Sequence, residues 1–372
     1  MQSAYRRAAL RNLAMTAPIC SATAAIGEAE VDPHRAIARF AIALALISAF
    51  TTLVFGFQAA AYAAGSISNP AAAETKLQAV ATTGMIADIV RNVGGERVAV
   101  RQLMGEGVDP HLYKATRSDM AAILNADITF FNGLLLEGKM SDALERIGQA
   151  GHAVHAVSAL LPRDQLLASD DAPGGHADPH VWMDPLAWAK AVAVVSDRLA
   201  ERDPEGADDY RRNAERYEQK LRDLDRYAEA AIASVPEGRR VLVTAHDAFG
   251  YLGRRYGLEV IGIQGLSTES EAGLKRVEEI VHLIATRRIP AVFVESTIPD
   301  RSVRALIAGA AARGHAVKIG GELYSDAMGP PGSYEGTYIG MIDHNVTLIA
   351  RALGGVVPDK GHGGKLAAIV AR

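Results

Sequence analysis

The sequence predicts an α/β protein: two pseudo-symmetric (β/α) lobes with parallel sheets, joined by a single long α-helix. Three observations predict it. Short β-rich runs alternate with helical patterns from about residue 75 onward, the order of elements recurs once, and one long 3.6-periodic stretch separates the two copies. A chain of 372 residues with 49% apolar side chains is long enough for two domains and a substantial core. Its 39 basic and 43 acidic residues offer no broad cationic face, which argues against nucleic acid as a partner.

The N-terminal segment is read first. From Phe40 to Phe57 runs an apolar stretch, preceded by Arg35 and Arg39 and followed by the small-residue strings AAAYAAG and PAAAE. Basic, apolar and small residues in that order form an export signal, with cleavage expected between about residues 61 and 73. A membrane anchor is the alternative, since the run is near spanning length. Residues 1–34 are long for an n-region, which favours a start further in, at Met15. Removing residues 1–64 leaves 34 basic and 40 acidic residues, a formal charge of −6, and discards Cys20, the single cysteine. The exported, periplasmic form would carry neither disulfide nor thiolate, so a transition-metal site must be built from His and carboxylates.

Expected strands follow at Leu77–Ala81, Val98–Leu103 and Ile128–Phe131, then Val241–Thr244, Val260–Ile263, Ala291–Val294 and Ala316–Ile319. LQAVATTGMIADIVRNVGGERVAV and RVLVTAHDAFGYLGRRYGLEVIGI share the order strand, turn, helix, glycine, strand. These groups define an N-terminal lobe over 76–188 and a C-terminal lobe over 238–372. Between them, Tyr210, Ala214, Tyr217, Leu221, Leu224, Ala228 and Ala231 are spaced alternately four and three apart, which places all seven on one face of a helix over 205–235. Pro204 precedes it and Pro236 to Gly238 ends it.

Four segments place a metal-capable side chain beyond a strand or in a strand-to-helix loop: His111 in VDPHLYKATRSDM, His180 in HADPHVWMDP, His246 in VLVTAHDAFGYLG and Asp326 in LYSDAMGPPGSYEG. The repeated Asp-Pro-His fixes the backbone before two of these imidazoles and limits the entropy lost on binding. Three neutral imidazoles and a carboxylate form a closed set for a borderline divalent cation. His152, His155, His282, His315 and His344 lack such framing, and His176 fits a solvated loop better than a ligand position. Glu295, at a strand end, suits either a supporting role to a ligand or a helix cap.

Together, VDPHLYKATRSDM, DPHVWMDP, TAHDAFGYLGRRYGLEVIGIQGLSTESEAG, AVFVESTIPDR and LYSDAMGPPGSYEGTYIGMIDHNV resemble the zinc- and manganese-binding solute-binding proteins of ABC importers, from about residue 76 to the C-terminus. The resemblance is nearest the TroA-like branch, whose third ligand position holds His rather than Glu. It implies one Zn²⁺ or Mn²⁺ carried as transported ligand, held by His111, His180, His246 and Asp326 and delivered by a periplasmic monomer to a membrane permease. The short ASDDAPGGHADPH stretch departs from the long His-rich loop of zinc specialists, so metal identity stays open. Two other classes compete. A secreted zinc hydrolase would need an open coordination position and a base, and the sequence has no H-E-x-x-H helix. A surface adhesin would need extra exposed modules or a lipid anchor.

Overall fold

In the computed structural model the four-stranded parallel sheet has the order β2-β1-β3-β4, and every pairing in it puts the strands' C-terminal ends on one edge. The described residues are 76–168 and 176–367, with scattered positions between 32 and 45; most of the expected export signal, including its cleavage region, lies outside them. Strands β1 (Leu77–Ala81), β2 (Val98–Gln102) and β3 (Ile128–Phe131) fall where the sequence places them. β4 (Val154–Ala156) does not figure among the expected strands. It is three half-buried residues on an edge, too short to show a period.

Helix α1 (Gly84–Gly94) follows β1 directly, with Thr83 capping its start and one face wholly buried. α2 (Arg117–Asn125) opens on a capping box in which Thr116 and Asp119 satisfy each other's backbone N–H groups. α3 (Ser141–Gln149) leads into β4, and α4 (Pro185–Arg202) starts with proline at its first turn and Asp184 accepting from the Leu186 and Ala187 N–H groups.

The connecting helix α5 (Ala207–Ala233) has 27 residues and so is about 40 Å long. All seven expected face residues are buried, with Ile232 and Asp225 beside them. Polar side chains fix it at both ends. Asp203, just before α5, takes a bidentate pair from Arg97 and a hydroxyl from Tyr210, and the Tyr217 hydroxyl reaches Asp88 on α1. Asp225 receives Arg255 and Tyr256 of the next helix. These carboxylates are buried or partly buried and fully engaged, so they set where α5 lies against its neighbours.

Beyond α5, β5 (Val241–Thr244) pairs in parallel with β6 (Glu259–Gly262) around α6 (Gly250–Tyr256). After α7 (Leu274–Arg287), β7 (Ala291–Glu295) pairs in parallel with β8 (Lys318–Leu323) around α8 (Arg301–Ala312), and β5 runs beside β7. β8 continues four residues past the expected end at Ile319, through Gly320 and Gly321. A register shift between Val292 and Phe293 accommodates that pair, and a Cβ at Gly320 would lie 2.5 Å from the Phe293 ring. α9 (Tyr338–Ala352) closes the fold. Residues 73–372 make one compact unit, and a continuous core runs from β1 through α4 and α5 to α9. Helices that cover one sheet therefore also cover the other. Among the described residues no helix is long and apolar enough to cross a membrane.

Candidate metal centre

The four residues singled out by sequence converge. His111, His180, His246 and Asp326 are 4%, 0%, 0% and 2% exposed, and one ligand atom from each lies within 4.8 Å of the other three. The elements explain the convergence. His246 and Asp326 follow the C-terminal ends of β5 and β8, and His111 and His180 sit in loops beyond β2 and before α4. Strand ends of a parallel sheet are where such folds bind ligands. In each Asp-Pro-His, the aspartate accepts the N–H of the histidine two residues on: His111 N to Asp109 Oδ1 at 2.9 Å and His180 N to Asp178 Oδ1 at 2.8 Å.

His246 stands edge to face with both other rings, which are tilted to each other; the centroids are 5.3–6.0 Å apart and the Nε2 atoms aim at Asp326. His111 and His246 Nε2 lie 3.5 and 3.2 Å from Asp326 Oδ2, and His180 Nε2 lies 3.5 Å from Oδ1. All five of these atoms are buried without a hydrogen-bond partner among the described residues. An orphaned buried polar atom costs on the order of 1–3 kcal/mol, so five around one point need a common partner. A divalent cation would supply it: three imidazole nitrogens and a carboxylate match the donors and number of a tetrahedral Zn²⁺ site.

A supporting layer orients two of the rings. Asp178 Oδ1 is 2.7 Å from His180 Nδ1, and Glu295 Oε2 is 2.5 Å from His246 Nδ1. Glu295 Oε1 also takes the His246 backbone N–H at 2.9 Å. Each carboxylate places the proton on Nδ1 and leaves Nε2 bare for a metal. Glu295 thus has the supporting role rather than a helix-cap role. No carboxylate among the described residues is hydrogen-bonded to Nδ1 of His111.

The electrostatics separate the imidazoles further. Burial pushes His111 down to about 3 despite the pull of Asp326, so it is neutral. Burial opposes charge on His246 too, but the carboxylates of Glu295 and Asp326 outweigh it and raise its pKa well above the ordinary value. Burial would raise Asp326; the surrounding imidazoles instead hold it well below the usual carboxylate range. The raised His246 value favours a proton on that ring in the metal-free protein, which an incoming cation would have to displace.

His176 lies apart from the four converging residues, lining a cavity of about 660 Å³ that also touches His111. His315 and His344 bond backbone carbonyls of Ile289 and Glu322, as unframed histidines do.

Residues 79–352 match the family model described as zinc-uptake complex component A, periplasmic. The chain belongs to that family. It is 46% identical over 289 residues to the manganese-binding lipoprotein MntA of Bacillus subtilis, covering 78% of this chain and 94% of that protein. It is also 46% identical over 286 residues to the zinc-binding protein TroA of Treponema pallidum, covering 77% of this chain and 92% of TroA. The solved structure of that periplasmic zinc-binding protein superposes with a TM-score of 0.72, covering 75% of this chain and 99% of TroA. The fold and its long helix are those of this metal-binding family of importer components.

Proposed function

We propose that this protein captures one divalent transition-metal ion through the Nε2 atoms of His111, His180 and His246 and the carboxylate of Asp326, and hands it to the permease of an ABC importer. The observation that carries the reading is the set of five buried, unpartnered atoms aimed at one point. The relatives named for zinc and for manganese support both ions as transported ligand. A nitrogen-rich set favours Zn²⁺ in affinity, whereas a carboxylate binding through both oxygens would admit Mn²⁺. Competitive titration of demetallated protein against a chelator, with elemental analysis, tests this: one ion per chain and tighter zinc than manganese is expected. Absence of a stoichiometric ion would overturn it.

Hydrolysis is not part of this reading. A catalytic metal needs an open position and a base, yet the donors here form a closed set, and Glu295, the candidate base, is occupied by both the ring and the backbone of His246. The protein works outside the cytoplasm as a monomer. Its export signal is removed between about residues 61 and 73, and the mass of the mature protein tests the cleavage.

A further inference from the structure

Behind the two histidine-bearing loops that precede α5 lies a further buried carboxylate, in the turn Asn132–Gly138 after β3. Glu137 is fully buried. Its Oε1 accepts the Thr82 hydroxyl at 2.8 Å and the Asn132 N–H at 2.6 Å, and its Oε2 accepts the Gly133 N–H at 3.1 Å. All three groups donate toward it and counteract the rise in pKa that burial imposes on it.

The turn it closes is costly. Gly133, Leu134, Leu135 and Gly138 all have positive φ, at 81°, 54°, 65° and 48°. Glycine adopts that region freely, but leucine does so at a cost of roughly 1–2 kcal/mol per residue. Two consecutive leucines there persist only if the surroundings over-determine the turn, and strain of this kind concentrates near functional sites.

Both ends of the turn touch a ligand segment. A Cβ at Gly138 would sit 2.5 Å from the His111 carbonyl oxygen, so bare backbone packs against that residue. Asn132 Nδ2 donates to the carbonyl of Pro179, immediately before His180, at 3.0 Å, while its Oδ1 accepts from Ser158. Leu134 and Leu135 line the cavity beside His111. One closed turn thus fixes the backbone of two ligand residues that lie 69 positions apart in sequence.

We propose that Glu137 is a positioning residue of the metal site, which sets affinity and coordination geometry by holding this turn closed against the His111 and His180 segments without touching the ion. The proposal rests on the metal-capture reading above. Groups that orient ligands from behind alter metal affinity by about 10- to 100-fold when removed. Glu137→Gln keeps the shape of the side chain but turns an amide donor toward backbone or hydroxyl donors. Thr82→Val removes one hydroxyl donor with little change in shape.

The test measures zinc affinity by chelator competition and the visible spectrum of the Co²⁺-loaded protein, whose band positions and intensities report ligand geometry. Asp225→Asn, a buried carboxylate holding Arg255 and Tyr256 away from the site, is the control for general destabilisation. Glu137→Gln should weaken zinc binding by at least about tenfold and alter the Co²⁺ spectrum. Thr82→Val should shift both in the same direction by less, and Asp225→Asn should lower melting temperature with the spectrum unchanged. If Glu137→Gln does not fold, Thr82→Val decides. Wild-type affinity and spectrum in the folded variants would overturn the proposal, whatever their melting temperatures. Failure of the wild-type protein to bind zinc would instead overturn the metal-capture reading itself.

Discussion

Three of the four converging residues form one block, and the fourth is attached to it differently. His180 precedes α5 in sequence but is tied to elements that follow it. Trp182 Nε1 donates to the Ser325 carbonyl at 2.9 Å, the Tyr338 hydroxyl to the Trp182 carbonyl at 2.6 Å, and the Tyr251 hydroxyl to the Asp178 carbonyl at 2.9 Å. His180, His246 and Asp326 therefore share one rigid frame, and two of the three have a carboxylate behind the ring. Among the described residues one side-chain hydrogen bond joins the His111 segment directly to elements after α5, from Thr268 Oγ1 to Asp109 Oδ2 at 2.6 Å, and its tie to the His180 segment runs indirectly through the Asn132–Gly138 turn. His111 also borders the large cavity. A preorganised frame loses little entropy on binding, whereas a ligand on a separate segment can detach without unmaking it. The contrast predicts that affinity rests chiefly on the block, and that His111 governs entry and release of an ion.

The largest expected effect breaks the block. His246→Ala should lower zinc affinity by orders of magnitude while leaving far-UV circular dichroism unchanged, because the side chain belongs to a loop beyond β5. His111→Ala should lose less affinity than His246→Ala and should release zinc faster than wild type. Calorimetry with chelator competition measures the first quantity and stopped-flow chelation the second. Equal losses in the two variants would erase the distinction.

The next effect sharpens it from behind the ligands. Glu295→Gln and Asp178→Asn should each weaken binding by about 10- to 100-fold, since each withdraws the charge that holds an imidazole in its metal-binding tautomer. Asp109→Asn should cost less: Asp109 bonds the backbone of His111 rather than its ring.

That difference also marks how far the sequence was legible. The two Asp-Pro-His strings look alike, and both aspartates do cap the following turn, but only Asp178 also reaches its histidine ring. Local spacing dictates the turn; ring contact depends on side-chain packing that spacing does not encode. The four converging residues were readable because proline framing and strand ends are local signals. The seven-residue face of α5 was readable for the same reason, as a 3.6-residue period over 27 residues. β4 is too short to carry a period, and β8 runs through two glycines that resemble a terminator until Phe293 is seen beneath them. The links from Glu137 to Thr82 and from Thr268 to Asp109 gave no local signal, because those partners are 55 and 159 residues apart. The LLLEG string held a clue, since a glycine-flanked leucine run is poor turn chemistry unless something distant enforces it.

Protonation separates His111 from His246 in the metal-free protein. The folded state holds His111 neutral down to about pH 3, below its ordinary value of 6.5, so in that window the unfolded chain binds the extra proton. Its contribution to stability therefore falls as pH drops from about 6.5 toward 3. His246 runs the other way: its raised value contributes stability that is fully present below 6.5 and is lost as pH rises through the folded value. Melting temperature against pH should show His111→Gln flattening the acid limb and His246→Gln the neutral-to-alkaline limb. Zinc binding at neutral pH should also release a proton from wild type and not from His246→Gln, read by calorimetry in buffers of different ionisation enthalpy.

The smallest effect tests the attachment of the His111 segment. Thr268→Val removes the hydroxyl that reaches Asp109, a half-buried carboxylate whose other oxygen holds the His111 N–H. Burial raises the Asp109 pKa and the Thr268 hydrogen bond counteracts that rise, so losing the hydroxyl leaves a carboxylate less well satisfied and the segment less firmly docked. A hydrogen bond of this kind contributes about 1 kcal/mol, which corresponds to roughly a fivefold change in a rate or equilibrium constant. If the segment must swing away before the ion leaves, that change appears in the dissociation rate: zinc should leave Thr268→Val about fivefold faster, with the association rate and the melting temperature of the metal-free protein nearly unchanged. Stopped-flow release into excess chelator measures it. An unchanged release rate in Thr268→Val, beside an accelerated one in Tyr251→Phe, which loosens Asp178 instead, would move the exit of the ion from the His111 side to the His180 side.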